Sequence, residues 1–140
     1  MGLYLCVFAG EDDDVEIDGV EVGGYDDFQT FRVAVNEHLE TGSWGSRFPV
    51  LMNHRDSDGI WAPDEAGALE LELRTIAEEM RRLPPVELPQ GWQRETAEER
   101  GLKPMTLYES FFDIDGEPLL DRIADLARVA VETWQPIWFQ

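Results

Sequence analysis

The chain has 140 residues, is 43% hydrophobic and carries a formal net charge of −19. Its five Trp, three Tyr and seven Phe residues exclude the aromatic-poor composition of a disordered chain, and the length is sufficient for one buried core. With 30 acidic and only 11 basic residues, the surface repels nucleic acid and anionic membrane. We therefore expect a single domain, residues 1–140, whose partner is a basic protein.

The apolar run Leu3–Phe8 predicts a central strand. The run is too short to span a bilayer and no basic segment precedes it, so we expect a cytoplasmic protein without a signal peptide or membrane anchor. Cys6 is the only cysteine and lies within this run, which favours a buried core thiol over a catalytic one.

The alternating segment 15–22 contains the dipeptide Asp18-Gly19, which predicts a β-hairpin closed by a two-residue type I′ turn. That closure would place Glu16 directly opposite Glu21 on the face away from the core. Like charges in this arrangement cost roughly 0.2–1 kcal/mol. Either a cation lies over the two carboxylates, or solvent screens them and nothing binds there.

Three later segments have the 3.6-residue period of amphipathic helices. The first begins at Asp26-Asp27, the second extends from Pro63 to Met80, and the third follows Pro118 and buries residues through Trp134. A short strand is predicted at 48–52 and a final strand at 137–139, while residues 84–104 are interpreted either as a helical turn or as a loop.

The fold class predicted from these elements is α+β. It consists of a small, mainly antiparallel sheet with a β-hairpin and about three packed α-helices in one domain.

A possible metal site is the loop containing Asp56, Asp58 and Gly59, followed by Glu65. If Gly59 is aligned with the invariant glycine of a calcium loop, the three carboxylates fall on ligand positions 3, 5 and 12. Position 1 would be His54, a poor ligand for calcium, and the preceding segment is predicted to be a strand where a helix is required. A divalent-metal-responsive binding module is therefore the alternative function, and a loop leading into the second helix is the favoured interpretation.

No catalytic residue is predicted, and we expect neither enzyme activity nor a cofactor. His38 and His54 have no recognisable nucleophile–base spacing, and chance pairs among 30 carboxylates carry no argument for hydrolysis. The carboxylates of segment 113–117 are expected to cap the last helix. Trp44 and Trp61 lie in polar, glycine-containing loops and are candidates for exposed interface anchors.

Four segments resemble a family of bacterial immunity proteins from polymorphic toxin systems, the immunity family catalogued under number seventy. They are Met1 to Phe8, Val20 to Phe28, Asn53 to Trp61, and Asp115 to Gln140. The resemblance spans nearly the whole chain. It implies a small cytoplasmic protein that binds and neutralises a cognate toxin domain.

The charge distribution favours the same kind of partner. The first 31 residues contain nine carboxylates and no basic side chain. We expect the cognate toxin to be basic, with a nuclease as one candidate class, because an acidic surface associates rapidly with a cationic one. The partner-binding residues predicted on this basis are Glu11, Asp12, Asp13, Asp14, Glu16, Glu21, Asp56, Asp58 and Trp61.

Overall fold

The computed structural model describes residues 2–10, 15–54 and 59–140. Its described elements, in chain order, are β1 (Gly2–Phe8), β2 (Glu16–Gly24), α1 (Tyr25–His38), α2 (Pro49–Asn53), β3 (Ile60–Trp61), α3 (Pro63–Met80), α4 (Trp92–Arg100), a single 3₁₀ turn (Tyr108–Ser110), α5 (Leu119–Thr133) and β4 (Ile137–Phe139). The predicted α+β class is confirmed.

The four described strands form one antiparallel sheet in the order β2-β1-β4-β3. The prediction of a central first strand is confirmed because β1 has a neighbour on each side, and the predicted last strand is confirmed as β4. The two-residue strand β3 was not predicted, since two residues cannot display a period.

The predicted hairpin at Asp18-Gly19 is wrong. Both residues lie inside β2, a single nine-residue strand that pairs with β1, with Gly19 opposite Cys6. Gly19 does not have a positive φ, as a type I′ turn would require. A side chain there would instead collide with Tyr4, because a Cβ atom would lie 2.1 Å from its hydroxyl oxygen. Gly19 is therefore required for space above the strand.

The three predicted amphipathic helices are confirmed as α1, α3 and α5. The helix α1 begins at Tyr25, one residue before the predicted start, and the carboxylate of Asp27 accepts a hydrogen bond from the N–H of Gly24 at 2.7 Å. Trp134 was predicted to face the core, but it ends α5 in the left-handed conformation and its side chain is 62% exposed.

The strand predicted at 48–52 is wrong, because residues 49–53 form the short helix α2. Pro49 is in the first turn, where its missing N–H is not needed. The carboxylate of Glu72 in α3 accepts hydrogen bonds from the N–H groups of Val50 and Leu51, at 3.1 and 2.9 Å. These bonds satisfy the start of α2 from a distant part of the chain, which local sequence reasoning could not reveal.

The segment 84–104 contains the nine-residue helix α4, ended by Gly101 in the left-handed conformation. The expectation that the carboxylates of 113–117 cap the last helix is wrong. The Asp113 carboxylate accepts the N–H groups of Asp115 and Glu117 at 2.9 and 3.0 Å, and therefore closes its own turn before α5 begins.

One face of the sheet packs on the helical layer. Leu3, Leu5 and Val7 of β1 are fully buried and join the core cluster with residues of α1, α3 and α5. Along the outer margin of β2, the N–H of Ile114 donates to the carbonyl of Glu21 at 3.1 Å. The guanidinium of Arg122 donates to the carbonyl of Gly19 at 2.7 Å.

Candidate partner-binding surface

The second face of the sheet contains the alternate strand residues, which take no part in the core cluster. We call it the outer sheet face and define it by Tyr4, Cys6 and Phe8 of β1, Glu16, Gly19 and Glu21 of β2, Ile60 of β3, and Trp138 of β4. One row across the four strands runs Gly19, Cys6, Trp138, Ile60. Tyr4, Phe8, Ile60 and Trp138 are half-buried, so part of each side chain is open to a partner.

Two aromatic residues of this face each lie opposite a carboxylate. Tyr4 pairs with Glu21, and Phe8 pairs with Glu16. Both glutamates are exposed. Directly opposed residues in an antiparallel pair have their Cβ atoms about 5 Å apart, so each aromatic ring has a negative charge as its neighbour.

The Tyr4 side chain reaches diagonally across β2. Its ring lies above Gly19, and its hydroxyl donates a hydrogen bond of 2.8 Å to the carboxylate of Glu16. Burial, this hydrogen bond and the nearby Glu16 charge raise the pKa of Tyr4 well above its ordinary value. The phenol is therefore neutral at physiological pH and holds the Glu16 carboxylate over the face.

Cys6 is fully buried in the middle of this face, which confirms the prediction of a buried thiol. Burial, together with the Glu16 charge, raises the pKa of Cys6 to about 11. A thiol with such a raised pKa is protonated at neutral pH and is a poor nucleophile. Cys6 therefore contributes packing to the outer sheet face and not a reactive thiolate.

The basic residues of the described chain all lie in its helices and loops, and one of them, Arg122 of α5, pairs with Asp18 of β2 at 3.4 Å. The four strands contain no lysine or arginine. Arginines of the helices and loops form ion pairs with neighbouring acids, namely Arg47–Glu79, Arg74–Asp125, Arg82–Glu78, Arg94–Glu87 and Arg128–Glu132. By contrast, the Glu21 carboxylate has no ion pair within the described residues, and Glu16 is bonded only to a neutral phenol. Among the described residues, the Glu16 and Glu21 carboxylates of the outer sheet face therefore have no cationic partner.

The predicted binding residues have different outcomes. Glu16 and Glu21 lie on the same face, as predicted, but not opposite one another, because both belong to β2. Glu11, Asp12, Asp13, Asp14, Asp56 and Asp58 lie outside the described residues. The aromatic members of the face, Tyr4, Phe8 and Trp138, were missed, although their alternation with buried residues along β1 and β4 is a signal that could have indicated them.

The prediction that Trp61 is an exposed interface anchor is wrong, because this residue is fully buried. Its indole N–H donates to the carbonyl of Val50 at 3.1 Å, and its ring packs against Phe28 and Phe139. The glycine-containing loop that suggested exposure ends at β3, whose inward residue is this tryptophan. Trp44 is 38% exposed.

The predicted metal loop is only partly described. The helix α2 does precede it, contrary to the predicted strand, and Gly59 has a φ of +84°. However, the Glu65 carboxylate accepts the N–H of Ala62 at 3.0 Å and so serves the start of α3. Within the described residues, no group of three or more acidic, histidine or cysteine side chains is placed to hold a metal ion.

A separate groove of about 250 Å³ lies between α1, α4 and the segment before α4. Its apolar lining includes Val33, Val86, Trp92 and Phe111. Its central carboxylate, Asp27, accepts hydrogen bonds from the Trp92 indole at 3.0 Å and the Gln93 amide at 2.6 Å, in addition to the N–H of Gly24. Asp27 thus joins α1 to α4, and both of its carboxylate oxygens already accept hydrogen bonds.

None of the described helices is long and apolar enough to cross a membrane. No curated protein and no solved structure matches the chain significantly. A protein-family model described as Immunity protein 70 matches residues 3–139, which is nearly the whole chain and confirms the resemblance found in the sequence. The chain belongs to the Immunity protein 70 family.

Proposed function

We propose that this protein neutralises a cationic cognate toxin domain by covering the toxin's functional surface with its own acidic surface. Membership of an immunity family supports toxin neutralisation as the general role. The observation that carries the finer proposal is the charge on the outer sheet face, where Glu16 and Glu21 have no cationic partner among the described residues.

The positions of the basic residues support this orientation. Ion pairs on the helical layer offset part of its acidity, whereas the strands have no basic residue. A basic partner that approaches the outer sheet face would meet Glu16 and Glu21 together, and neither carboxylate has an ion pair among the described residues. Long-range attraction of this kind raises the association rate and is reduced by salt.

The acidic segments 11–14 and 56–58 are proposed as further contributors on the basis of chain position. Residues 11–14 connect β1 to β2, the two strands that carry the aromatic–carboxylate pairs, and residues 56–58 precede β3. Four consecutive carboxylates at 11–14 would add to the negative potential near the outer sheet face.

The class of toxin that best fits an acidic inhibitor is one that acts on nucleic acid, since such enzymes need basic surfaces to hold phosphates. The inhibitor would then compete with a polyanionic substrate for the same surface. We propose no catalytic step for the protein itself, and direct nucleic-acid binding by a chain of net charge −19 is not expected.

Co-expression with the toxin domain encoded beside the gene tests the proposal. We expect the protein to rescue growth and to co-purify with the toxin. Reversal of Asp12, Asp13 and Asp14 to Lys together should slow association and weaken its dependence on salt, as measured by stopped-flow fluorescence between 50 and about 300 mM NaCl, where screening grows.

A matched pair of double variants separates local recognition from net charge. Glu16→Lys with Glu21→Lys changes the outer sheet face, whereas Glu98→Lys with Glu99→Lys makes the same charge change on exposed positions of α4. We expect at least a tenfold greater loss of toxin affinity for the first pair, about 1.4 kcal/mol. Equal losses for both pairs would contradict docking on the sheet.

A further inference from the structure

In one place in this structure, a tyrosine and a carboxylate together bind an arginine side chain. The hydroxyl of Tyr108 donates a hydrogen bond to the carboxylate of Asp121. The guanidinium of Arg81 lies over the Tyr108 ring, 4.2 Å from the ring centroid, and 3.9 Å from the Asp121 carboxylate. The arginine is therefore held by the face of a ring and by the acid that the same ring orients.

A second arginine is held in a related way. The guanidinium of Arg47 lies 4.8 Å from the centroid of the Phe48 ring and forms a two-pronged ion pair with Glu79, with N–O distances of 2.8 and 2.6 Å. Stacking on an aromatic ring beside a carboxylate is thus a repeated mode of arginine binding in this structure.

Tyr4 and Glu16 have the first two parts of the Tyr108–Asp121–Arg81 arrangement. The phenol donates to the carboxylate at 2.8 Å, and both side chains lie on the outer sheet face. No arginine of the described residues contacts Tyr4 or Glu16, and none of the four strands contains a basic residue. Phe8, opposite Glu16, and Glu21, opposite Tyr4, add a second ring and a second carboxylate beside the first pair.

We propose that the Tyr4–Glu16 pair is the binding site for an arginine side chain of the toxin. This rests on the proposed function and names the chemistry of its contact. The guanidinium stacks on the exposed part of the Tyr4 ring and donates to the Glu16 carboxylate. Arginine is specified over lysine because its planar group stacks on aromatic rings and donates to a carboxylate through two N–H groups, whereas an ammonium is compact and more strongly hydrated.

Two peptides of equal charge test the site without requiring the toxin. Hepta-arginine and hepta-lysine are titrated into the protein at 150 mM NaCl, with affinity measured by calorimetry and location by amide chemical shifts. We expect hepta-arginine to bind about two- to fivefold more tightly, as an exposed cation–π contact provides. Arginine-specific shifts should centre on the amides of Tyr4, Glu16 and Gly19.

Three variants assign the preference to the site. Tyr4→Leu removes the ring and keeps an apolar side chain at this position, and Glu16→Gln removes the charge without altering the core. Both should reduce the arginine-to-lysine affinity ratio to about one. Glu98→Gln, an exposed α4 position, should retain the wild-type ratio. If Tyr4→Leu does not fold, Glu16→Gln alone decides the result.

Equal binding of the two peptides to the wild-type protein would overturn the proposal. So would an arginine preference that survives in the Glu16→Gln variant. These results are distinct from a failure of the proposed function, which would be seen as no toxin binding by the wild-type protein. A toxin that binds wild-type and Glu16→Gln proteins equally would show that docking occurs without this site.

Discussion

The packing of Tyr4 over Gly19 makes a specific prediction about the substitution Gly19→Ala. An added Cβ would lie 2.1 Å from the Tyr4 hydroxyl oxygen and 2.4 Å from the adjacent ring carbon, far inside van der Waals contact. The backbone at Gly19 has no positive φ and can itself accept alanine. The tyrosine must therefore swing away, which breaks its 2.8 Å hydrogen bond to Glu16.

The expected cost follows from the contacts that are lost. The hydrogen bond contributes about 1 kcal/mol, and re-exposure of roughly 40 Å² of apolar ring surface costs about 1 kcal/mol at 25 cal/mol/Å². Replacing glycine within a strand returns about 0.5–1 kcal/mol, because less backbone entropy is lost on folding. The net destabilisation is about 1 kcal/mol, or a decrease in Tm of about 3 °C for a chain of this length.

A double-mutant cycle with Tyr4→Ala isolates the effect. Without the ring there is no collision, so Gly19→Ala should stabilise the Tyr4→Ala protein by about 0.5 kcal/mol. Urea unfolding of the four proteins measures both values. If Gly19→Ala destabilised both backgrounds equally, the glycine would be needed for its backbone conformation, as in the hairpin turn, and the packing argument would be refuted.

Three further predictions concern stability, pH and metal. Glu72→Ala should destabilise the protein by about 2 kcal/mol in urea unfolding, because the N–H groups of Val50 and Leu51 lose their acceptor. Glu72→Gln keeps an acceptor oxygen and should be less destabilising. An equal loss of stability in both variants would contradict this role of Glu72. Burial raises the pKa of Asp113, so the folded state holds this proton to higher pH than the unfolded chain does. Its stabilising contribution is therefore complete below the unfolded pKa and is lost as pH rises through the folded pKa. Asp113→Asn should remove that decline when unfolding is followed between pH 3 and 7, and parallel curves for the two proteins would refute it. Addition of about 1 mM calcium should leave the Tm unchanged, because the Glu65 carboxylate is already hydrogen-bonded at the N-terminus of α3. A Tm that rises with calcium concentration, and that no longer rises in the Asp56→Asn variant, would instead favour the metal-responsive alternative.

The parts of the fold that the sequence predicted are those in which a long local pattern repeats. The helices α1, α3 and α5 show several turns of apolar periodicity, and β1 is a continuous apolar run, so their burial requires no knowledge of distant residues. The errors have non-local causes. Asp18-Gly19 is a strong turn dipeptide, but pairing with β1 and the overlying Tyr4 ring determine its conformation, and α2 depends on Glu72 from another helix.

The sequence placed Glu16 and Glu21 on one face, but it did not reveal the aromatic residues beside them. Glu16 and Glu21 were expected on the face away from the core, where either a cation lies over them or solvent screens them, because outward positions alternate with buried ones along a strand. Their aromatic neighbours depend on the register between β1 and β2, which includes irregular shifts near Tyr4 and Phe8. Such shifts cannot be read from either strand alone.

The bonds from Ile114 and Arg122 to the outer margin of β2 have a consequence for how this molecule meets other chains. A bare strand margin is a template for the backbone of any extended segment, including one from a second copy of the same protein. Here two carbonyls in the middle of that margin are already occupied. Strand-to-strand pairing along this margin of β2 is thereby obstructed, and a chain that approaches β2 must engage side chains from above the pleated surface.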